Sequence, residues 1–185
     1  MEHNQQLYFP ILHGYHDLEV NPAVDREIAK CQLKTDSYTV ISVLGAQHTG
    51  KSTILNEVFG THFAVAQQQG RTTVGINACA LKDRDLLLLD VEGSDSRERK
   101  NSHVRASKQL ACFAMCLSDL VIVNIKTDEV SRDSAGLVLI QQIRESVGQL
   151  RGMNERPVKI IVLLRDFQPK QHRIGDCSEL IHSEL

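Results

Sequence analysis

The amino-acid sequence predicts a doubly wound α/β domain built on a mostly parallel sheet. Two observations lead to this prediction. Short apolar runs alternate along the chain with helical patterns, as they do when strands are joined by crossover helices. The apolar runs are also nearly continuous, which a strand needs when helices cover both of its faces. A length of 185 residues fits one such domain.

Four apolar runs predict buried strands, and three further patterns predict helices. The strands are expected at residues 38–44, 85–91, 120–125 and 158–164. A fifth run, residues 76–82, alternates less cleanly and predicts an edge strand paired with the second. The helices are expected at residues 51–59, 106–117 and 134–150, and the last two carry apolar stripes at helical spacing. The stripe residues are Ala106, Leu110, Phe113, Ala114 and Leu117 in one, and Gly136, Ile140, Ile143, Val147 and Leu150 in the other.

The composition disfavours several classes of function. The formal net charge of −2 indicates no basic surface for nucleic acid or anionic lipid, and aromatic residues at 4% supply no stacking platform. Five cysteines without a CxxC pair indicate reduced thiols in the cytosol. No apolar run approaches the roughly 18 residues that cross a bilayer, and the N-terminus lacks a signal-peptide core. We therefore expect a soluble chain that binds no nucleic acid and spans no membrane.

The most specific motif lies between the first buried strand and the first helix. Residues 45–52, Gly-Ala-Gln-His-Thr-Gly-Lys-Ser, match the complete phosphate-loop pattern. Glycine lets backbone N–H groups close around phosphate oxygens, Lys51 adds charge for the β- and γ-phosphates, and Ser52 offers a hydroxyl to Mg²⁺. The helix that begins at Lys51 points its positive end at the same anion. The candidate phosphate-binding residues are Gly45, Gln47, His48, Thr49, Gly50, Lys51, Ser52 and Thr53.

A second motif, Asp90-Val-Glu-Gly93, ends the second apolar run. An acidic side chain there can hold Mg²⁺ through a water molecule, and the N–H group of Gly93 can contact the γ-phosphate. Two polar stretches, residues 61–75 and 93–105, are interpreted either as surface loops or as a pair of nucleotide-sensing switches. The first contains Arg71-Thr-Thr-Val-Gly75, and a nucleotide switch needs a threonine hydroxyl there to complete the Mg²⁺ shell.

Two aspartates compete as the reader of the base. A carboxylate suits guanine because it can accept hydrogen bonds from both N1–H and the 2-amino group. Asp128 lies in Ile125-Lys-Thr-Asp128, which looks like an NKxD motif with isoleucine in place of asparagine, but it follows the third strand, which is too early. Asp166 follows the fourth strand, where the base reader belongs. We predict that Asp166 reads guanine and that Asp128 is a solvated loop residue.

Together these motifs resemble the SEY / Root Hair Defective family of dynamin-like GTPases, relatives of the atlastins and guanylate-binding proteins. The similar segments are residues 45–56, 58–63, 72–76, 90–99 and 163–167. The resemblance implies a P-loop NTPase G domain whose nucleotide-driven dimerisation powers fusion of endoplasmic reticulum membranes. It also implies that Thr73 is the first-switch threonine, that Thr73, Ser52 and Asp90 (through water) hold Mg²⁺, and that Arg165 accompanies Asp166 at the guanine.

The chain departs from this family inside the phosphate loop. The fourth loop residue is arginine in atlastins and guanylate-binding proteins and usually serine in SEY-type members, whereas here it is His48. A catalytic arginine contributes about 10³–10⁵ to turnover, and an imidazole lacks its permanent charge. His48 is interpreted either as a solvent-facing loop residue or as one that positions water. The family usually has tryptophan at the positions of Asn77 and Lys126. The loss of these two aromatic side chains would alter the packing or the dimer surface that the family shares.

The resemblance sets expectations for the organisation of the chain. Residues 38–185 are expected to form a G domain that is C-terminally incomplete, because family G domains continue past the Arg165-Asp166 motif and are then followed by a helical bundle and a membrane anchor. Residues 1–37 are expected to be an N-terminal extension packed on it. The implied partners are GTP or GDP, Mg²⁺ and a second copy in a nucleotide-dependent homodimer. The chain as written would be cytosolic, and a full-length member would face the cytosol at the endoplasmic reticulum.

Two functions are consistent with these residues. The first is a GTPase in which Lys51, Thr73 and His48 take part in catalysis. The second is a nucleotide-binding interaction module with little turnover, either a pseudo-GTPase or a fragment. A third hypothesis, an adenine-specific phosphate-loop ATPase, predicts that ATP competes as well as GTP.

Overall fold

The computed structural model describes residues 6–13, 18–34, 37–65, 73–93, 101–129, 135–150 and 158–168. Within these ranges, strands and helices follow one another along the chain. In order they are β1 Leu7–His13, β2 Glu19–Val20, α1 Val24–Lys30, β3 Thr39–Gly45, α2 Lys51–Phe59, β4 Ile76–Leu81, β5 Leu86–Val91, α3 Asn101–Leu117, β6 Leu120–Lys126, α4 Ala135–Leu150 and β7 Lys159–Arg165. Short 3₁₀ turns, Lys82–Arg84 and Thr127–Glu129, follow β4 and β6.

The strands form one sheet in the order β2-β1-β4-β5-β3-β6-β7. The four strands with continuous apolar runs, β5, β3, β6 and β7, are parallel to one another. Strands β2, β1 and β4 join the sheet by antiparallel pairing. The predicted α/β class is confirmed, with a parallel half that carries the four predicted strands and an antiparallel half beside it. Strands β3, β5 and β6 are buried as predicted, but the prediction is wrong for β7, which lies at the edge of the sheet with Ile161 52% and Leu163 37% exposed.

Helices cover both faces at the centre of the sheet, as the alternation along β3 shows. Leu44 points to one face and packs in a core with Met115 of α3 and Ile140 of α4. Val43 points to the other face and shares a smaller core with Leu55 of α2. Both faces of this central strand are therefore buried, which explains why its sequence is apolar almost throughout.

The apolar stripes on α3 and α4 are confirmed where they are described, with one exception. Leu117, the last residue of α3, is 41% exposed rather than buried, at the point where the chain turns toward β6. Gly136, Val147 and Leu150 lie outside the residues whose burial is described. The buried stripe residues are Ala106, Leu110 and Ala114 of α3 and Ile140 and Ile143 of α4, with Phe113 partly buried beside them.

Strand β4 pairs with β5, as the sequence predicts, but the prediction that it lies at an edge is wrong. Strand β1 covers its other side in an antiparallel pair. The sequence does not predict β1, because Pro10 interrupts its apolar run and proline removes a backbone donor from a ladder. Pro10 is tolerated because the next strand, β2, reaches only as far as Leu12 and His13.

Strand β1 also holds the segment that follows α2. The Tyr8 hydroxyl accepts a hydrogen bond from the backbone N–H of His62 at 2.6 Å. The Tyr8 ring meets the Phe63 ring edge-on, with 5.4 Å between centroids. The Gln6 side-chain amide donates to the Gly60 carbonyl at 2.7 Å. The N-terminal strand is therefore tied to the start of the first polar loop, residues 61–75.

The topology gathers the ends of the parallel strands at one edge of the sheet. Strand β3 ends at Gly45, β5 at Val91, β6 at Lys126 and β7 at Arg165, and α2 begins beside them at Lys51. Ligands of open α/β sheets bind at this edge, outside the carboxyl ends of the strands. The phosphate loop, the Asp90–Gly93 motif and both candidate base readers lie there.

Leu55→Ala is expected to destabilise the fold, because Leu55 is fully buried where α2 packs on the sheet. Removing a buried leucine side chain costs about 2–5 kcal/mol of unfolding free energy. Val58 on the same helix is 65% exposed, so Val58→Ala is a matched control that should change stability by no more than about 0.5 kcal/mol. Urea denaturation measures both, and equal losses would contradict docking through Leu55.

Candidate nucleotide-binding site

The loop between β3 and α2 is shaped by residues with positive φ. Gly50 precedes α2 with φ 80°, and His48 has φ 59°. Such left-handed turns aim successive backbone N–H groups into one concavity, which is a general way to bind an anion. At the start of the loop, a Cβ on Gly45 would lie 2.6 Å from the Asn124 carbonyl oxygen, so the close approach of β3 and β6 requires glycine there.

The loop borders a cavity of about 240 Å³ at the carboxyl edge of the sheet. The structure thus brings together most of the predicted phosphate-binding residues with Thr73 and with Glu92 and Gly93 of the second motif. Gly45 and Thr49 lie behind the loop instead. The cavity is lined by Gln47, His48, Gly50, Lys51, Ser52, Thr53, Ala64, Val65, Thr73, Glu92 and Gly93.

Lys51 lies between the loop and the second motif. Its side chain is buried, with 7% exposure, and its ammonium donates to the Ala46 carbonyl at 3.0 Å. Gly93 comes so close that a Cβ on it would lie 2.6 Å from the Gln47 Cα and 2.7 Å from the Lys51 Nζ. Glycine at position 93 is therefore what lets the end of β5 approach the phosphate loop.

Asp90, near the end of β5, accepts hydrogen bonds from hydroxyl groups in two other segments. Ser52 Oγ donates to Asp90 Oδ2 at 2.7 Å, and Thr73 Oγ1 donates to the same oxygen at 3.1 Å. Asp90 is 1% exposed, and its Oδ1 is buried without a hydrogen-bond partner among the described residues. The three predicted Mg²⁺ residues therefore lie together, and the set of oxygen donors suits a hard cation.

The environment of Asp90 opposes its charge. Burial raises the pKa of the Asp90 carboxyl, while the Ser52 hydrogen bond, the Lys51 charge and the Thr73 hydrogen bond lower it less than burial raises it. A buried carboxylate needs donors or cations around it to remain ionised. A divalent cation at the Ser52 and Thr73 hydroxyls would supply that missing charge.

Glu92 lies directly before the second polar loop and is hydrogen-bonded to Gly75, the last residue of the first. The sequence did not reveal this connection. Its carboxylate accepts the Gly75 N–H at 2.8 Å, and its own N–H donates to the Gly75 carbonyl at 2.8 Å. Gly75 has φ 69° and lies directly against the Leu12 backbone of β1, so a larger residue does not fit. Arg71, Thr72 and residues 94–99, which the sequence also placed in these loops, lie outside the described residues.

The two candidate base readers lie in different turns. Asp128 is exposed within the 3₁₀ turn Thr127–Glu129, in line with its interpretation as a loop residue. Asp166 is exposed just after β7, with φ 57°. Neither aspartate lines the phosphate cavity. A base reader belongs outside that cavity, so the position of Asp166 is compatible with its predicted role.

Arg165 and Asn124 contact the back of the phosphate loop. Arg165 Nη1 and Asn124 Nδ2 both donate to the Thr49 carbonyl, the latter at 2.8 Å. The Thr127 hydroxyl donates to the Arg165 carbonyl at 2.6 Å and fixes the end of β7. Asn124 is absent from the sequence prediction, although an amide inside the apolar run 120–125 is a signal that could have identified it.

His48 is exposed at the rim of the cavity. This position is compatible with both interpretations of the residue, since a rim side chain faces solvent and also reaches the cavity. Its left-handed backbone belongs to the turn that shapes the loop.

A phosphate loop that faces an acidic strand end across a parallel sheet edge defines the class of phosphate-loop nucleotide-binding domains. Within that class, residues 44–178 match the model of the Root hair defective 3 GTP-binding protein (RHD3) GTPase domain. The chain belongs to this family and is a GTP-binding G domain. The resemblance that its motifs carry is confirmed.

Relatives of known name support the same conclusion. The chain is 36% identical over 156 residues to Protein SEY1 homolog 1 of Trichomonas vaginalis, covering 80% of this chain and 19% of that protein. It is 34% identical over 148 residues to Protein ROOT HAIR DEFECTIVE 3 homolog 1 of Arabidopsis thaliana, covering 77% and 18%. The chain thus spans less than a fifth of the length of these relatives.

Among solved structures, the chain matches that of an ADP ribosylation factor-like GTP binding protein, the small COPII coat GTPase SAR1 from Encephalitozoon cuniculi in complex with GDP. It shares 12% identity with this chain at a TM-score of 0.48, covering 88% of this chain and 70% of that one. Within the described ranges of the present chain, none of the helices combines the length and apolarity that a membrane span requires.

Asp90→Asn is expected to raise the thermal stability of the nucleotide-free protein at pH 7. Because burial raises the pKa of Asp90, its ionised form is less favourable in the folded state than in the unfolded chain. That destabilisation is present above the folded pKa and disappears as the pH falls through it. Thermal unfolding at several pH values should show a Tm advantage for the variant that shrinks toward acid. A lower Tm at pH 7 would mean that the Ser52 and Thr73 hydrogen bonds outweigh burial.

Proposed function

We propose that this chain binds GTP together with Mg²⁺ and hydrolyses it. The observation that best supports the proposal is the convergence of the Ser52 and Thr73 hydroxyls on the buried Asp90 carboxylate, at the wall of the phosphate cavity. Ser52 and Thr73 would contact the cation directly, and Asp90 would hold it through water. When bound, Mg²⁺ would supply positive charge that neutralises the negative charge developing on the phosphates.

The phosphate loop would hold the triphosphate through its backbone and through Lys51. The Lys51 ammonium, bonded here to the Ala46 carbonyl, lies in the cavity wall and can turn to the β- and γ-phosphate oxygens. Gly93 would offer its N–H to the γ-phosphate from the opposite side. Because Glu92 is hydrogen-bonded to Gly75, a movement of Glu92 and Gly93 would also displace the end of the first polar loop.

Asp166 would read the base from the end of β7. Its exposed carboxylate can accept from guanine N1–H and the 2-amino group at once. The Arg165 side chain is bonded to the phosphate loop, so its contribution to guanine binding would be to order the turn that presents Asp166. Adenine lacks this pair of donors, and GTP would be preferred over ATP.

Hydrolysis requires a water molecule in line with the γ-phosphate. Thr73 lines the cavity and His48 stands at its rim, so both can hydrogen-bond a water there. His48 has no permanent charge with which to stabilise the transition state. We therefore expect turnover by this chain to be slow compared with relatives that carry arginine in the loop.

Lys51→Ala is expected to reduce single-turnover GTP hydrolysis by roughly 10²–10³, the usual cost of removing one preorganised charge-stabilising donor. Lys159→Ala is the matched control, because Lys159 is an exposed lysine at the start of β7, at the amino end of the strand. Hydrolysis is measured with protein in excess over GTP. Equal rates for wild type and Lys51→Ala would rule out the GTPase function and favour the nucleotide-binding module.

Asp166→Asn is expected to weaken GTP binding by roughly ten- to a hundredfold, because hydrogen bonds to a charged group contribute about 1.5–3 kcal/mol. The asparagine amide can donate to the 2-oxo group of xanthine, so XTP binding should improve. Asp128→Asn removes the rival carboxylate and should leave the preference for GTP over ATP and XTP unchanged. If Asp128→Asn alters that preference and Asp166→Asn does not, the base is read at Asp128.

The alternative function, a nucleotide-binding module with little turnover, is favoured by one observation: His48 stands where atlastins and guanylate-binding proteins carry arginine. The wider role is also a proposal, since the chain spans less than a fifth of the length of the two relatives named above. As part of a full-length membrane-anchored protein, the domain would dimerise when nucleotide binds and act at the cytosolic face of the endoplasmic reticulum in membrane fusion.

A further inference from the structure

We propose that Asn124 is a positioning residue that, with Arg165, fixes the orientation of the Thr49–Gly50 peptide for binding the β-phosphate. The inference rests on the proposed nucleotide function and names a residue that the sequence motifs do not include. Asn124 lies near the end of β6, directly opposite Gly45 in the register of β3 and β6. It therefore stands beside the first residue of the phosphate loop without belonging to the loop.

Two neighbouring strands hold the same carbonyl group. The Asn124 amide donates from β6 to the Thr49 carbonyl at 2.8 Å, and the Arg165 guanidinium donates to it from β7. Asn124 is completely buried, whereas Arg165 is partly exposed. The buried Asn124 amide thus provides a donor that is shielded from solvent. The Arg165 guanidinium provides a second, positively charged donor to the same carbonyl oxygen.

The orientation of this carbonyl decides where the next N–H points. The described peptide bonds are trans, so the C=O and N–H of one peptide point in opposite directions. The Thr49 carbonyl is held behind the loop, away from the cavity, so the Gly50 N–H is turned toward the cavity that Gly50 lines. A phosphate loop binds the β- and γ-phosphates through backbone N–H groups with this direction.

The stability of the fold does not explain why an asparagine occupies position 124. Its Oδ1 is buried and has no hydrogen-bond partner within the described part of the chain. An unpaired buried polar atom destabilises a fold, so leucine, of similar size, would suit this apolar strand better. Aspartate would present a negative oxygen to the Thr49 carbonyl. Asparagine offers a neutral donor in that space, and the bond to the loop is the interaction that requires it.

The test compares GDP with GMP, which differ by the β-phosphate. Wild type should bind GDP more tightly than both GMP and ADP. In Asn124→Leu, GDP affinity should fall about tenfold, or about 1.4 kcal/mol, while GMP affinity stays unchanged. Ser42→Ala is the matched control: Ser42 is a completely buried residue of the adjacent strand β3 whose hydroxyl has no partner among the described residues. It should leave both affinities unchanged.

Each outcome bears on a different claim. Equal losses of GDP and GMP affinity in Asn124→Leu, or no loss at all, would overturn the positioning role. If that variant does not fold, Arg165→Met removes the second donor from a partly exposed site and should again weaken GDP selectively, with Arg165→Lys restoring part of the loss. An unchanged ratio of GMP to GDP affinity in Arg165→Met would overturn the inference too. A wild type that prefers neither GDP over ADP nor GDP over GMP would instead contradict the proposed function.

Discussion

A carboxylate buried at the end of a central strand is the constraint on which the site depends. Asp90 is 1% exposed, and its burial raises its pKa in spite of the donors around it. A buried charge is tolerated only where other groups compensate it. The compensating hydroxyls come from α2 and from the first polar loop, so one oxygen of Asp90 holds two segments far apart in sequence. The nucleotide-free fold thus retains an electrostatic strain that a cation would relieve.

Features that depend on local sequence were predictable. Helix α2 lies at Lys51–Phe59 as expected, because Gly50 stops the loop and Gly60 ends the helix in left-handed conformations that glycine adopts without strain. Strands β3, β5, β6 and β7 lie within a residue of the predicted runs. In β3, β5 and β6 the continuous apolarity reflects burial on two faces, whereas the apolar run of β7 lies at an edge and leaves Ile161 and Leu163 exposed, which the sequence did not reveal. The cavity residues between Gln47 and Thr53 follow from the phosphate-loop spacing.

Features that depend on contacts between distant segments were not predictable. Strand β1 is stabilised by pairing with β4, and Pro10 hides it in the sequence. The bond from Asn124 to Thr49 and the bond from Glu92 to Gly75 join residues whose proximity appears only when the strands align. Arg165 shows the same limit: its place after β7 was expected, but its contact with the phosphate loop was not.

Strand β1 determines how much of the chain is needed for a protein that does not aggregate. Every residue that lines the phosphate cavity follows residue 46, yet β1 occupies the free edge of β4 and ties down the segment after α2. Without β1, β4 would present unpaired backbone groups along an apolar strand, and such edges recruit strands from other molecules. We expect a protein begun at residue 38 to aggregate, so the solubility of this domain depends on residues that do not line the phosphate cavity.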